Sequence, residues 1–147
     1  MNSDIKKYIH QSVLCWLATA SKENIPNVSP KEVFTYYGDY IIIANIASPQ
    51  TIKNIKENQN VCLSFIDVLV QKGYQLKGKA SLITKENEAY FAMEKELLEI
   101  TEGKFPFSSI TKIEVTSSKP IIAPKYILYP ETTEEEQIES AKKAYGI

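Results

Sequence analysis

The chain has 147 residues, a length suited to one domain, residues 1–147, that buries a core without disulfide staples. Hydrophobic residues make up 44% and charged residues 24%, which is ordinary for a soluble globular protein, and the net charge of −1 excludes a general attraction to nucleic acid or an anionic membrane. All 17 basic residues are lysine, so any anion site must be built from backbone N–H groups, hydroxyls, amides and lysine, without the bidentate fork of arginine.

In chain order, Ser3-Asp4 opens a short helix to about Gln11, with Ile5, Tyr8 and Ile9 on one face. Asp4, Lys6 and Lys7 interrupt any signal-peptide pattern, no apolar run reaches membrane-spanning length, and a cytoplasmic protein is expected. Val13 to Ala20 reads as a buried strand. Pro26 to Tyr36 reads as a long second strand, whose Pro26 and Pro30 imply an edge or an irregular stretch. Gly38-Asp39 is a hairpin turn signal before the β-prone Tyr40 to Ala47. Ser48-Pro49 opens a helix to about Asn58. Strands follow at Asn60 to Val70 and Gly73 to Thr84, then an amphipathic helix from Lys85 to about Ile100 and a loop from Gly103 to Ser109. Thr111 to Ser117 and Ile121 to Tyr129 read as two strands about a Ser-Lys-Pro turn. Thr132-Thr133 and three glutamates start a polar terminal helix reaching about Tyr145, the glutamates complementing its dipole. The fold class is mainly β with small helices.

Cys15 and Cys62 lie in apolar runs and read as buried free thiols. There is no Cys/His cluster, so no metal site is expected. His10, the sole histidine, reads as a surface residue.

The Ser48 helix start carries the chemistry. Ser48 is an N-cap residue type and Pro49 suits the first helical position. A first helical turn leaves N–H groups without internal partners, and the dipole behind them favours an anion. Ser48 and Thr51 add hydroxyls, Gln50 and Asn54 amides, and Lys53 a nearby charge. An ordinary capped helix and a phosphate site both fit these residues. The preceding Asn27-Val28-Ser29-Pro30-Lys31 gives up a ladder donor at Pro30, as strands beside ligands or at edges do. Lys31 reads either as an outward lysine or as an ammonium near an electron-rich ring edge.

Four stretches, taken in order, resemble the pyridoxamine 5′-phosphate oxidase-like family of FMN-binding split barrels. They are Leu17-Ala18-Thr19, Ile25 to Lys31, Ala47 to Thr51 with Asn54 and Asn58, and Gly73-Tyr74-Gln75-Leu76-Lys77-Gly78-Lys79-Ala80. The resemblance runs from about Val13 to Thr84 and is weaker beyond. It implies a six-stranded antiparallel Greek-key split β-barrel that pairs into a homodimer, with FMN in a cleft between subunits. By the same resemblance Asn27, Val28, Ser29, Pro30 and Lys31 line the flavin ring, with Lys31 near its polar edge. Asn45, Ile46 and Ala47 border the ribityl chain, and Ser48, Gln50 and Thr51 hold the phosphate with Asn54 in support. The family commonly has lysine or arginine where Gln50 stands, and true pyridoxamine phosphate oxidases use arginines on both phosphates. This chain has none, which speaks against classical pyridoxal phosphate synthesis. The implied activity is FMN-dependent hydride or electron transfer, with a small-molecule substrate or NAD(P)H as reductant and no assigned catalytic residue. The alternatives are a non-enzymatic flavin- or haem-binding sensor, carrier or electron-transfer module, and a dimeric interaction protein on a degenerate barrel.

Overall fold

The computed structural model describes all 147 residues. Helix α1 (Ser3–Gln11) precedes strands β1 (Cys15–Ala20), β2 (Pro26–Lys31), β3 (Phe34–Tyr37) and β4 (Tyr40–Ala44). Helix α2 (Pro49–Glu57) leads to β5 (Asn60–Asp67) and β6 (Lys72–Thr84). Helix α3 (Tyr90–Thr101), β7 (Ser109–Ile122), α4 (Pro124–Leu128) and α5 (Glu134–Tyr145) complete the chain. No helix is long and apolar enough to cross a membrane.

All strand pairings are antiparallel, in one sheet of order β2-β1-β5-β6-β7-β4-β3. The two edge strands, β2 and β3, are consecutive in sequence and joined only by Glu32 and Val33. A flat sheet of seven strands would hold its edges about 29 Å apart. The three-residue step from Lys31 to Phe34 spans at most about 11 Å. The sheet therefore curls until its edges nearly meet, as in a split barrel.

Alternation along the strands fills the inside. Cys15 and Leu17, Ile41 and Ile43, Leu63 and Phe65, and Tyr74 and Leu76 join Ile5, Tyr8 and Ile9 of α1 in one buried cluster. Ile42 and Ala44 point the other way, into a second cluster beneath Tyr90, Met93 and Leu97 of α3. The Ile41-Ile42-Ile43 run is thus buried on both faces of β4. Gly78 sits at a bulge where β7 presents an extra residue, and a Cβ there would lie 2.2 Å from the Glu114 carbonyl oxygen.

Several expected boundaries are corrected. There are seven strands rather than the six the resemblance implies; against the chain-order reading, Pro26 to Tyr36 breaks into β2 and β3 while the last two expected strands are replaced by the single β7. The expected Ser-Lys-Pro turn does not exist: β7 runs straight through it, with Lys119 opposite Gln75 and Pro120 opposite Tyr74. Beyond Glu114, β7 has β6 as its sole neighbour, which is where a strand tolerates proline. The expected strand from Ile121 to Tyr129 is largely helix, because Pro124 occupies the first position of α4. Helix α3 begins at Tyr90 rather than Lys85, because the Asn87 carboxamide oxygen takes the Ala89 N–H and holds a turn first. Both cysteines are free, Cys15 fully buried and Cys62 half-buried. His10 is exposed, edge-on to Tyr36. The edge position of β2 agrees with its two prolines.

The helix α2 N-terminus and the adjoining cleft

Pro49 stands at the start of α2, and the Ser48 carbonyl accepts the Ile52 N–H at 3.1 Å. The next donors along the first turn, the N–H groups of Gln50 and Thr51, have no helical acceptor. Ser48 makes no side-chain cap. Its hydroxyl instead donates to the Ile46 carbonyl at 2.9 Å, and the first turn carries no acidic residue. The bend leading in passes through Ala47 at φ +48°, a left-handed conformation that costs a residue with a Cβ about 1 kcal/mol or more.

Lys31, the last residue of β2, reaches this turn from below. Its Nζ donates to Ser48 Oγ at 2.7 Å and to Thr51 Oγ1 at 3.0 Å. It is 7% exposed and is the one charged residue among 37 that are buried. The ion pairs of the molecule lie elsewhere, at the amino terminus with Asp39, Lys72 with Glu134, and Lys104 with Glu102. Burial pushes the Lys31 ammonium below the ordinary lysine value of 10.5. Cys15, directly opposite on β1, offers no counter-charge, since burial drives its thiol up to about 12 and keeps it protonated. A buried cation that pairs with no carboxylate, the adjacent Glu32 being exposed to solvent, is set against the positive end of a helix and leaves a positive site without an ion-pair partner.

The other expected residues divide into two groups. Ser29 joins the cradle, its Oγ 3.4 Å from Thr51 Oγ1. Pro30, Lys31 and Ile46 line a cavity of about 240 Å³ completed by Glu32, Val33, Ala44 and Phe105. Asn54 and Asn45 are struts behind the site. Asn54 accepts from Gln50 Nε2 at 2.8 Å and donates to Thr19 Oγ1 at 2.9 Å, fixing α2 on β1. Asn45 donates to Ser109 Oγ at 3.1 Å and accepts from Thr111 Oγ1 at 2.7 Å, fixing the end of β4 on β7. Gln50 is exposed, with its amide turned back on Asn54 rather than outward. Asn27 shares the Ser29 and Lys31 face of β2, whereas Val28 shares the opposite face with Pro30 and is 60% exposed. Ala47 lies exposed between Ile46 and Ser48.

Phe105 was not anticipated from the sequence, and neither were Thr19, Ser109 and Thr111 as partners of the asparagines. The usable signal for Phe105 was two aromatics flanking a proline in the short Lys104-Phe105-Pro106-Phe107 loop. The largest hollow, about 580 Å³, lies at the other end of α2 among Lys56, Glu57, Asn58, Gln59 and Lys79. It is an open groove walled mostly by polar residues, so size alone does not locate the chemistry. The α2 N-terminus, with its unbalanced charge and adjoining apolar cleft, is the better candidate.

The structure is similar to HupZ of Group A Streptococcus, with a TM-score of 0.69 and 23% identity over 80% of this chain and 91% of that one. It is equally similar to an FMN-binding protein of Syntrophomonas wolfei, with a TM-score of 0.69 and 19% identity over 82% of this chain and 85% of that one. An F420 reductase follows, with a TM-score of 0.62 and 17% identity over 81% of this chain and 98% of that one. At these identities the likenesses establish the fold alone. No curated protein matches the sequence. The family model of pyridoxamine 5′-phosphate oxidase matches residues 1–119, most of the chain and all of the cradle. The chain belongs to the pyridoxamine 5′-phosphate oxidase family.

Proposed function

We propose that this protein binds FMN at the α2 N-terminus and serves as a flavin-dependent oxidoreductase. One observation carries the reading: Lys31 is buried against an uncapped helix N-terminus with no carboxylate paired to it. A phosphate dianion supplies that balance. Lys31, the hydroxyls of Ser48, Thr51 and Ser29, and the first-turn N–H groups are the donor set a phosphate requires. The adjoining cleft, apolar on Pro30, Val33, Ala44 and Ile46, suits a flat heterocycle attached to that phosphate. Gln50 contributes an amide in place of a cation, so the charge on the phosphate is met chiefly by Lys31.

When bound, FMN supplies hydride and electron transfer. The chain's part is to hold the tail at Lys31, Ser48 and Thr51 and to keep water from the apolar wall of the cleft. Glu32 is the one carboxylate lining the cleft, and no histidine or tyrosine lines it. Proton transfer by a dedicated residue therefore has little support here, and a small substrate or NAD(P)H would meet the ring directly. The same scarcity favours a second reading, a flavin carrier or electron-transfer module without turnover. A haem-binding version finds no axial histidine in the cleft, since His10 lies against Tyr36.

The site belongs to a homodimer in this reading. Trp16 is 48% exposed, and its face of the sheet also carries the exposed Val28 of the cradle strand β2. An adjoining hollow is lined by Val13, Trp16, Ile66, Val68 and Ile121. A second copy covering that apolar face would bring a partner surface to the edge of the cleft.

The test is an absorbance spectrum of the purified protein, with cofactor identification by mass, followed by addition of NADH or NADPH. The expected result is a flavin band, restored by added FMN if lost, that bleaches with a reductant. Flavin that stays bound but is never reduced across a panel of donors supports the carrier reading. A colourless protein that also fails to take up FMN overturns both.

A further inference from the structure

The loop between α3 and β7 presents an aromatic side chain to the cleft. Glu102 at φ +53° and Gly103 at φ +72° reverse the chain at the end of α3. The turn is tied by the Gly103 N–H to Thr101 Oγ1 at 3.1 Å and by the Lys104 N–H to the Thr101 carbonyl at 3.0 Å. Its far end is tied by Tyr90, whose hydroxyl donates to the Phe107 carbonyl at 3.3 Å, while the Phe107 ring packs against the cluster beneath α3. Between these anchors Phe105 stays 54% exposed and lines the same cavity as Pro30, Val33 and Ile46.

A lone exposed phenylalanine needs no explanation. This one lines an apolar-walled cavity that Lys31 also lines, and both ends of its loop are hydrogen-bonded to α3. We propose that Phe105 is a ring-contacting residue, the aromatic wall against which the isoalloxazine packs, and that it sets affinity for the ring independently of the phosphate. This rests on the FMN reading above. An aromatic face against a flat heterocycle supplies dispersion and stacking that an aliphatic wall does not.

The experiment titrates full-length wild type, Phe105→Ala and Phe105→Trp with FMN and with lumiflavin, which keeps the ring and lacks the tail. Binding is read by absorbance shift and flavin emission, and a melting curve of each unliganded variant checks folding. The expected result is that Phe105→Ala weakens FMN and lumiflavin by the same factor, about tenfold. Phe105→Trp keeps the affinity and lowers the emission of the bound flavin below that of wild type, because an indole in contact quenches it. Wild-type affinity in Phe105→Ala for both flavins, or bound emission unchanged in Phe105→Trp, overturns the inference while leaving FMN binding intact. A wild type that takes up neither flavin overturns the FMN reading and this inference together.

Discussion

Two helices of this protein have a hydroxyl residue at the N-cap, Ser48 before α2 and Thr133 before α5, and the two hydroxyls do opposite things. At α5, Thr133 Oγ1 accepts the Glu136 N–H at 3.1 Å and the Glu136 carboxylate accepts the Thr133 N–H at 3.3 Å. Three glutamates fill that first turn, so donors and dipole are satisfied from within. At α2, Ser48 turns its hydroxyl back to Ile46, no acid follows, and the nearest charge is the Lys31 cation. One helix end is finished as a piece of structure, and the other is left short of an anion. The difference teaches that residue type at an N-cap does not decide its role; the charge brought up beside it by the rest of the fold does.

The sharpest way to break this comparison is Lys31→Met. It should weaken FMN by roughly a hundredfold, the value of a charge-assisted contact to phosphate, in a binding titration. The same variant should make the unliganded protein about 1 kcal/mol more stable to urea, since an unbalanced buried cation is replaced by an apolar chain. Loss of stability with unchanged FMN affinity would mean that Lys31 is a structural lysine.

Ser48→Ala and Thr133→Ala form the matched pair. Ser48→Ala should lower FMN affinity about tenfold. Thr133→Ala should cost about 1 kcal/mol of stability and leave the FMN titration untouched. Equal effects of both on stability and none on FMN would erase the distinction between the two helix ends.

Gln50→Lys tests the missing charge directly. A lysine in the first turn should tighten FMN about threefold at low salt, with the gain fading as salt rises. No change at low salt would place the phosphate away from that turn.

The pH dependence follows from the depressed Lys31 value. Between that lowered value and 10.5 the unfolded chain holds a proton that the native state has lost. The Lys31 contribution to stability should therefore rise with pH across that window as the burial penalty is relieved, read as the difference between wild type and Lys31→Met, because Tyr74 and Tyr90, pushed up to about 12, act in the opposite direction near its upper end. FMN affinity should fall over the same alkaline range, because the neutral amine no longer balances the phosphate. Lys31→Met should flatten the FMN curve and remove the Lys31 part of the stability curve.

Much of this arrangement was legible in the sequence, because it depends on neighbours in the chain. Ser48-Pro49 marks the start of α2, Thr133 with Glu136 marks α5, and Gly38-Asp39 marks the β3–β4 turn. The prolines at 26 and 30 mark an edge strand. What stayed hidden depends on partners distant in sequence. Asn45 and Asn54 carry amides suited to a ligand, yet Thr19, Ser109 and Thr111 claim them, and nothing local announces that pairing. Pro120 reads as a turn until β7 is seen to lack a second neighbour there. Phe105 reads as loop until the curled sheet carries Pro30 and Ile46 to its side. Lys31 was singled out as a candidate, but its burial without a counter-ion appears only once β2 is folded beneath α2.

The central claim is that a phosphate completes the charge balance at Lys31. It is tested most directly by comparing the affinity of wild type for FMN and for riboflavin, the same ring and ribityl chain without the phosphate, alongside Lys31→Met. The account predicts that wild type prefers FMN by tenfold or more and that Lys31→Met loses most of that preference, keeping only what the hydroxyls and first-turn N–H groups supply. Equal affinity of wild type for both, or a preference undiminished by the loss of Lys31, would contradict it.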